Sequence, residues 1–199
     1  IIAHEYGHGI STRLTGGPAN SSCLNNAEQM GEGWSDWFGL MMTMEPGDAG
    51  PNVRGIGTYA IFQPTSGTGI RPAPYSTDMQ VNDFTYGDIG NTTLISSPHG
   101  IGFLWCNMLW EMTWQLVNRY GFDPDLINGT GGNNIAMKLV IQGCKMQPCS
   151  PGFVDGRNAI LEADTLLYGG QYSCLIWEAF AKRGLGLSAS QGSTNSRSD

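Results

Sequence analysis

Apolar positions along this chain change their period three times, and the changes divide it into segments. Residues 27–44 carry Trp34, Trp37, Phe38, Leu40, Met41 and Met44 at separations of one to four, the repeat of a helix that buries one face. Residues 1–12 read as a shorter helix before it. From His99 onward Leu104, Trp105, Met108, Leu109, Met112 and Leu116 recur at three and four, which predicts a core-packing helix. Further helices are predicted over 133–142, 153–168 and 172–183, the last stopped by Gly184. Between these groups, residues 46–98 lose any period. They are rich in Gly, Pro, Thr and Asn, with Tyr59, Phe62, Tyr75, Phe84 and Tyr86 scattered through them. A stretch of that length without regular structure is often functional, and it is expected to wall a substrate pocket. Small polar residues from Ser188 predict an exposed linker or tail over 188–199. The predicted fold is mainly α, with a long irregular region after the first two helices and no internal repeat.

The run His4-Glu5-Tyr6-Gly7-His8 gives the first helix a chemistry. Residues four apart lie on one helix face, so His4 and His8 can reach one zinc ion while Glu5, one step round, faces a water there. The plainer reading is two surface histidines. Gly7 and Gly9 weigh on that side, since each glycine costs a helix about 1 kcal/mol relative to alanine, unless a metal or a neighbouring backbone needs the room. Two histidines leave a catalytic zinc one protein ligand short. Glu32 and Asp36 are four apart, so one carboxylate can bind the metal while the other accepts a hydrogen bond from a ligand imidazole and fixes its tautomer. Glu28, one turn earlier, competes with Glu32 for the ligand role.

The chain resembles the fungalysin family, zinc metallopeptidases of the thermolysin-like class. The resemblance rests on residues 4–11, on Arg13-Leu14-Thr15-Gly16-Gly17-Pro18, on residues 30–36 and on Pro74-Tyr75-Ser76-Thr77-Asp78-Met79. It continues through Met108-Leu109-Trp110-Glu111, residues 147–153 and Phe180-Ala181-Lys182-Arg183-Gly184. It implies His4, His8 and Glu32 as ligands of one zinc, Glu5 as general base and His99 as the donor that stabilises the oxyanion. It also implies that residues 1–187 are the helical C-terminal part of a catalytic domain whose N-terminal lobe, and a pro-segment, lie outside this sequence. Two departures stand out. No tyrosine lies between His8 and Glu32 to assist the oxyanion, leaving Tyr75 and Tyr86 as unassigned alternatives. Relatives often carry an acidic residue at Phe103, so the support of His99 is expected to differ.

Composition narrows the partners. The net charge of −7 argues against nucleic-acid or anionic-membrane binding, and no apolar run approaches a spanning length. Five cysteines fit an oxidising, extracellular compartment. Cys149 can pair with Cys144 or Cys174, Cys23 is open, and Cys106 in its apolar stretch reads as a buried thiol. The expected function is a secreted zinc endopeptidase acting on proteins or peptides. The rivals are a zinc aminopeptidase, which needs an anionic group for the substrate amine, and a non-catalytic zinc-binding lobe or scaffold. No residues are assigned to calcium.

Overall fold

The computed structural model describes residues 1–198. It contains α1 (Ile2–Leu14), α2 (Gly31–Met41), α3 (His99–Tyr120), α4 (Gly132–Met146), α5 (Phe153–Tyr168) and α6 (Ser173–Lys182), with short 3-10 turns at Thr58–Ile61 and Tyr86–Gly90. Strands are absent among the described residues, and only two isolated bridges occur, Arg54 with Tyr75 and Ile56 with Gly69. The mainly α expectation holds.

The organising element is α3. It packs against α2, α4 and α6 at once, and from Gly100 to Trp114 every residue is buried. The predicted stripe therefore understates it, because a helix surrounded on all sides needs no polar face. Its polar residues are paired inside: Thr113 Oγ1 accepts the Trp37 indole N–H at 2.9 Å, and Glu111 binds the buried Arg183. In contrast, α1 buries only Gly7 and Ser11 and lies on the outside of α2.

The second helix is shorter than the predicted 27–44. Before Gly31 the chain is tied to the start of α5: Asn26 Nδ2 donates to the Pro151 carbonyl at 2.9 Å, and the buried Glu28 accepts the Phe153 N–H at 2.8 Å. After Met41 the backbone tightens, with the Thr43 N–H donating to the Leu40 carbonyl and the Met44 N–H to the Met41 carbonyl, ahead of Pro46, which no helix could run through undisturbed. The other helices lie close to their predicted spans, with α4 a turn longer at its C-terminal end, where the buried Cys144 extends its apolar side. Gly184 ends α6 at φ +80°, a conformation other residues rarely adopt.

Residues 188–198, expected to be an exposed linker or tail, have no buried residue and are hydrogen-bonded to the body of the protein. Gln191 Nε2 donates to Asp155 Oδ2 at 2.6 Å, Glu28 N–H to the Thr194 carbonyl at 3.2 Å, and Arg197 Nη2 to the Ile89 and Ile95 carbonyls at 2.7 Å. Small polar residues can hydrogen-bond to a surface without an apolar pattern to announce it. The disulfide joins Cys23 to Cys149, closing a pairing that the spacing left open. Cys144 and Cys106 are buried thiols and Cys174 is exposed.

Candidate metal centre

His4 and His8 project from α1 toward α2, with their ring centroids 4.9 Å apart. Glu32, in the first turn of α2, lies between them: Oε2 is 3.4 Å from His4 Nε2 and Oε1 is 3.4 Å from His8 Nε2. All three donor atoms fall within 4.8 Å of one another. Four ligands about 2.0–2.1 Å from a central ion stand roughly 3.4 Å apart along the edges of a tetrahedron. Glu32 turns a different oxygen to each imidazole at about that spacing, and one donor atom from each of the three residues falls within reach of a single ion, so the residues present fit one metal ion with nitrogen and oxygen ligands.

Close helix packing creates this convergence. A Cβ at Gly33 would lie 2.2 Å from the Gly102 carbonyl oxygen, and one at Gly102 would lie 2.4 Å from Glu32 Cβ. Backbone therefore meets backbone where α2 crosses the start of α3. That crossing carries His99, the first residue of α3, to 3.6 Å from Glu32 Oε1, with its side chain 58% exposed at the rim.

Behind the donors sits Asp36, with a fully buried side chain. Its Oδ1 is 2.8 Å from His4 Nδ1. Arg71 donates Nε to Oδ2 at 2.7 Å and Nη2 to Oδ1 at 2.8 Å, and also reaches Glu32 Oε2 at 3.0 Å. Tyr75 donates its hydroxyl to Asp36 Oδ2 at 2.6 Å. Burial alone lowers the pKa of His4, but the Asp36 and Glu32 carboxylates outweigh it and raise the imidazole to about 9. Burial likewise opposes ionisation of Glu32, yet His4 and His8, with His99 and Arg71, hold it well below the usual carboxylate range. Asp36 is lowered too, against its burial, by His4 and Arg71. The pocket is thus an electrostatic seat for positive charge.

The cavity in front of these groups measures about 310 Å³ and is lined by Glu5 as well as His4, His8, Glu32, Arg71 and His99, with Ile56 and Ile70 from the long loop as its apolar wall. A larger, more open depression of about 490 Å³ surrounds Asp48 and Arg54, but those charges neutralise each other at 3.0 Å. The chemistry gathers in the smaller cavity.

Glu28 is not part of it: its carboxylate is engaged at the start of α5 and by the Tyr86 hydroxyl, 3.2 Å away. Tyr86 is thereby removed from the pocket, and Tyr75 lies beneath Asp36. Phe103 is fully buried against the rings of Tyr75 and Phe84, at 5.4 and 5.3 Å between centroids. It supports the loop rather than His99. Arg71 was missed by sequence reasoning. One signal was available, since it is the only charged residue between Arg54 and Asp78.

A helix-borne H-E-x-x-H pair facing a carboxylate from the next helix is the arrangement of the metallopeptidases that use this motif. The chain belongs to the fungalysin metallopeptidase (M36) family, whose model matches residues 1–189. It is 47% identical over 203 residues to the extracellular metalloproteinase MEP of Neosartorya fischeri, covering 98% of this chain and 31% of that one. It is 46% identical to the extracellular metalloproteinase mep of Aspergillus fumigatus and 44% identical to extracellular metalloproteinase 2 of Arthroderma gypseum, covering 98% and 96% of this chain and 31% of each relative. The chain thus spans about a third of the length of these curated relatives. No helix among the described residues is long and apolar enough to cross a membrane.

Proposed function

We propose that this chain carries the zinc site of a secreted endopeptidase, with His4, His8 and Glu32 as the ligands, Glu5 as general base and His99 as oxyanion donor. The convergence of all five side chains on one cavity of about 310 Å³ carries the reading. Zinc, when bound, supplies Lewis acidity and brings the pKa of its water to about 7. Glu5, one residue past His4, takes a proton from the attacking water and delivers it to the leaving amine. His99 donates an N–H to the oxygen that gains charge as the peptide carbonyl becomes tetrahedral. Asp36 holds the His4 ring in the tautomer that leaves Nε2 free to bind.

The relatives are extracellular metalloproteinases, which supports secretion, and the Cys23–Cys149 bond suits an oxidising compartment. The only acidic groups in the cavity lining, Glu5 and Glu32, already have roles. An aminopeptidase would therefore need its anionic seat for the substrate amine from polypeptide outside the described residues. Because the chain covers 31% of its relatives, part of the cleft for the protein substrate is proposed to come from polypeptide outside it.

The test is the zinc content of the purified protein beside a His4→Ala variant, with casein hydrolysis on the same samples. One zinc per chain, lost in the variant, is the expected result. Zinc without proteolysis assigns the remaining cleft to other polypeptide; a folded protein that takes up no zinc overturns the site.

A further inference from the structure

Behind the candidate ligands runs a line of close polar contacts that ends at a residue with no part in the proposed reaction. Tyr75 is fully buried, and its hydroxyl donates to Asp36 Oδ2 at 2.6 Å, while Oδ1 of the same carboxylate stands 2.8 Å from His4 Nδ1. We infer that Tyr75 is a positioning residue for the metal site, fixing the Asp36 carboxylate and, through it, the ring of His4. The inference rests on the reading of His4, His8 and Glu32 as ligands.

A carboxylate turns easily about its last side-chain torsion, so its direction is set by its partners. Arg71 binds both oxygens of Asp36 but also reaches Glu32 at 3.0 Å, so it is shared between two acids. Tyr75 is not shared between two acids, its hydroxyl otherwise meeting only the buried Cys106 thiol, and its place is set by the core. Its backbone exchanges both hydrogen bonds with Arg54, at 3.0 and 2.9 Å, and its ring lies 5.4 Å from Phe103 on α3. The next carbonyl, that of Ser76, accepts Arg183 Nη2 at 2.7 Å, and the same nitrogen lies 2.7 Å from Glu111 Oε1. Through this clamp the rigidity of α3 and α6 reaches a histidine on α1, the least buried helix to carry a candidate ligand.

A tyrosine hydroxyl on a buried acid can be nothing more than a satisfied polar pair. The molecule contains its own control. Tyr86, also buried, donates to the buried Glu28 at 3.2 Å at the start of α5, away from the candidate ligands. Removing either hydroxyl perturbs a buried carboxylate, but only one of the two faces a ligand.

The experiment measures zinc dissociation constants for the intact protein by competition with a chromogenic chelator. The set comprises wild type, Tyr75→Phe, Tyr86→Phe, Asp36→Asn and the Tyr75→Phe/Asp36→Asn pair. Outer partners of metal ligands are worth about 10- to 100-fold in affinity, and one bond further out Tyr75→Phe is expected to weaken zinc by roughly 3- to 30-fold. Tyr86→Phe should stay within about twofold of wild type, and Tyr75→Phe should add almost nothing in the Asp36→Asn background, since it acts through that carboxylate. Equal weakening by Tyr75→Phe and Tyr86→Phe, or full additivity with Asp36→Asn, would overturn the proposal, as would a Tyr75→Phe protein that binds zinc like wild type. A wild type that binds no zinc sinks the underlying site, and this proposal with it. Should Tyr75→Phe not fold, Glu111→Gln loosens the same clamp from outside; a smaller loss of affinity supports the relay and unchanged affinity refutes it.

Discussion

Gly7 of α1 faces the backbone of Ser35 in α2 so closely that a methyl group on Gly7 would lie 2.8 Å from Ser35 Cα. Gly9, two residues on, faces nothing within 4 Å. Two glycines that both look like helix weaknesses thus have opposite meanings. One lets the helix bearing His4 and His8 settle onto the helix bearing Glu32, and the other does not contribute to that contact.

Alanine at Gly9 is expected to stabilise the fold by about 0.5–1 kcal/mol, the ordinary helix preference. Alanine at Gly7 gains the same preference but must push two helix backbones apart, an overpacking cost of about 1–3 kcal/mol. Its net effect should be destabilising, with weaker zinc binding because α1 is displaced from Glu32. Denaturant unfolding of the two variants, run side by side, reads the difference in sign; stabilisation by both would mean that the α1–α2 contact is looser than described.

Replacing Glu5 separates catalysis from metal binding. The residue lines the cavity without lying among the candidate ligand atoms, so Glu5→Gln should retain zinc within about twofold while turnover drops by at least the 10²–10⁴ typical of a positioned base. Metal analysis and casein hydrolysis on one preparation check both halves. Loss of zinc together with activity would place Glu5 among the ligands instead.

Much of this site was legible because its spacing is local. His4 with His8, and Glu32 with Asp36, are each one helical turn apart, and periodicity alone places them on shared faces. Arg71 and Tyr75 gave no such sign. They sit in a segment without period and reach Asp36 across 35 and 39 residues, contacts that exist only once the loop has folded back. The same limit hid the partner of Cys149, which is 126 residues away. The apolar run of α2 likewise continues past both ends of the helix, but Glu28 serves the start of α5 and the other end tightens into a turn ahead of Pro46.

Removing the metal should be visible as lost stability. A ligand held at about 100 times its dissociation constant adds about 2.7 kcal/mol to a fold that alone can bind it, and this site joins α1 to α2 by side chains from both. Chelation is therefore expected to lower the melting temperature of wild type and to leave His4→Ala unmoved. Differential scanning calorimetry with and without chelator tests this. An equal shift in both proteins would trace the effect to a different metal.

Glu111 binds two cations in very different surroundings, and that difference predicts their worth. Arg183 has a side chain with no exposed surface; it lies 2.7 Å from Glu111 Oε1 and donates to the Asn82, Phe84 and Ser76 carbonyls. Lys182, one residue earlier, reaches Glu111 Oε2 at 2.8 Å with a third of its side chain exposed. Truncating one partner of a buried pair strands the other charge away from water and costs about 3–5 kcal/mol, while an exposed pair contributes at most about 1 kcal/mol. Arg183→Met should therefore approach the larger figure, and Lys182→Met should stay near or below the smaller one. Both are read from urea unfolding with a common m value. Because Arg183 also holds the loop that carries Tyr75, through the Ser76, Asn82 and Phe84 carbonyls, its loss should weaken zinc binding as well, and more than that of Lys182, which donates to that loop only at the Thr77 carbonyl. If the two substitutions cost the same, Glu111 is held mainly by other contacts, and the clamp does not stiffen the loop.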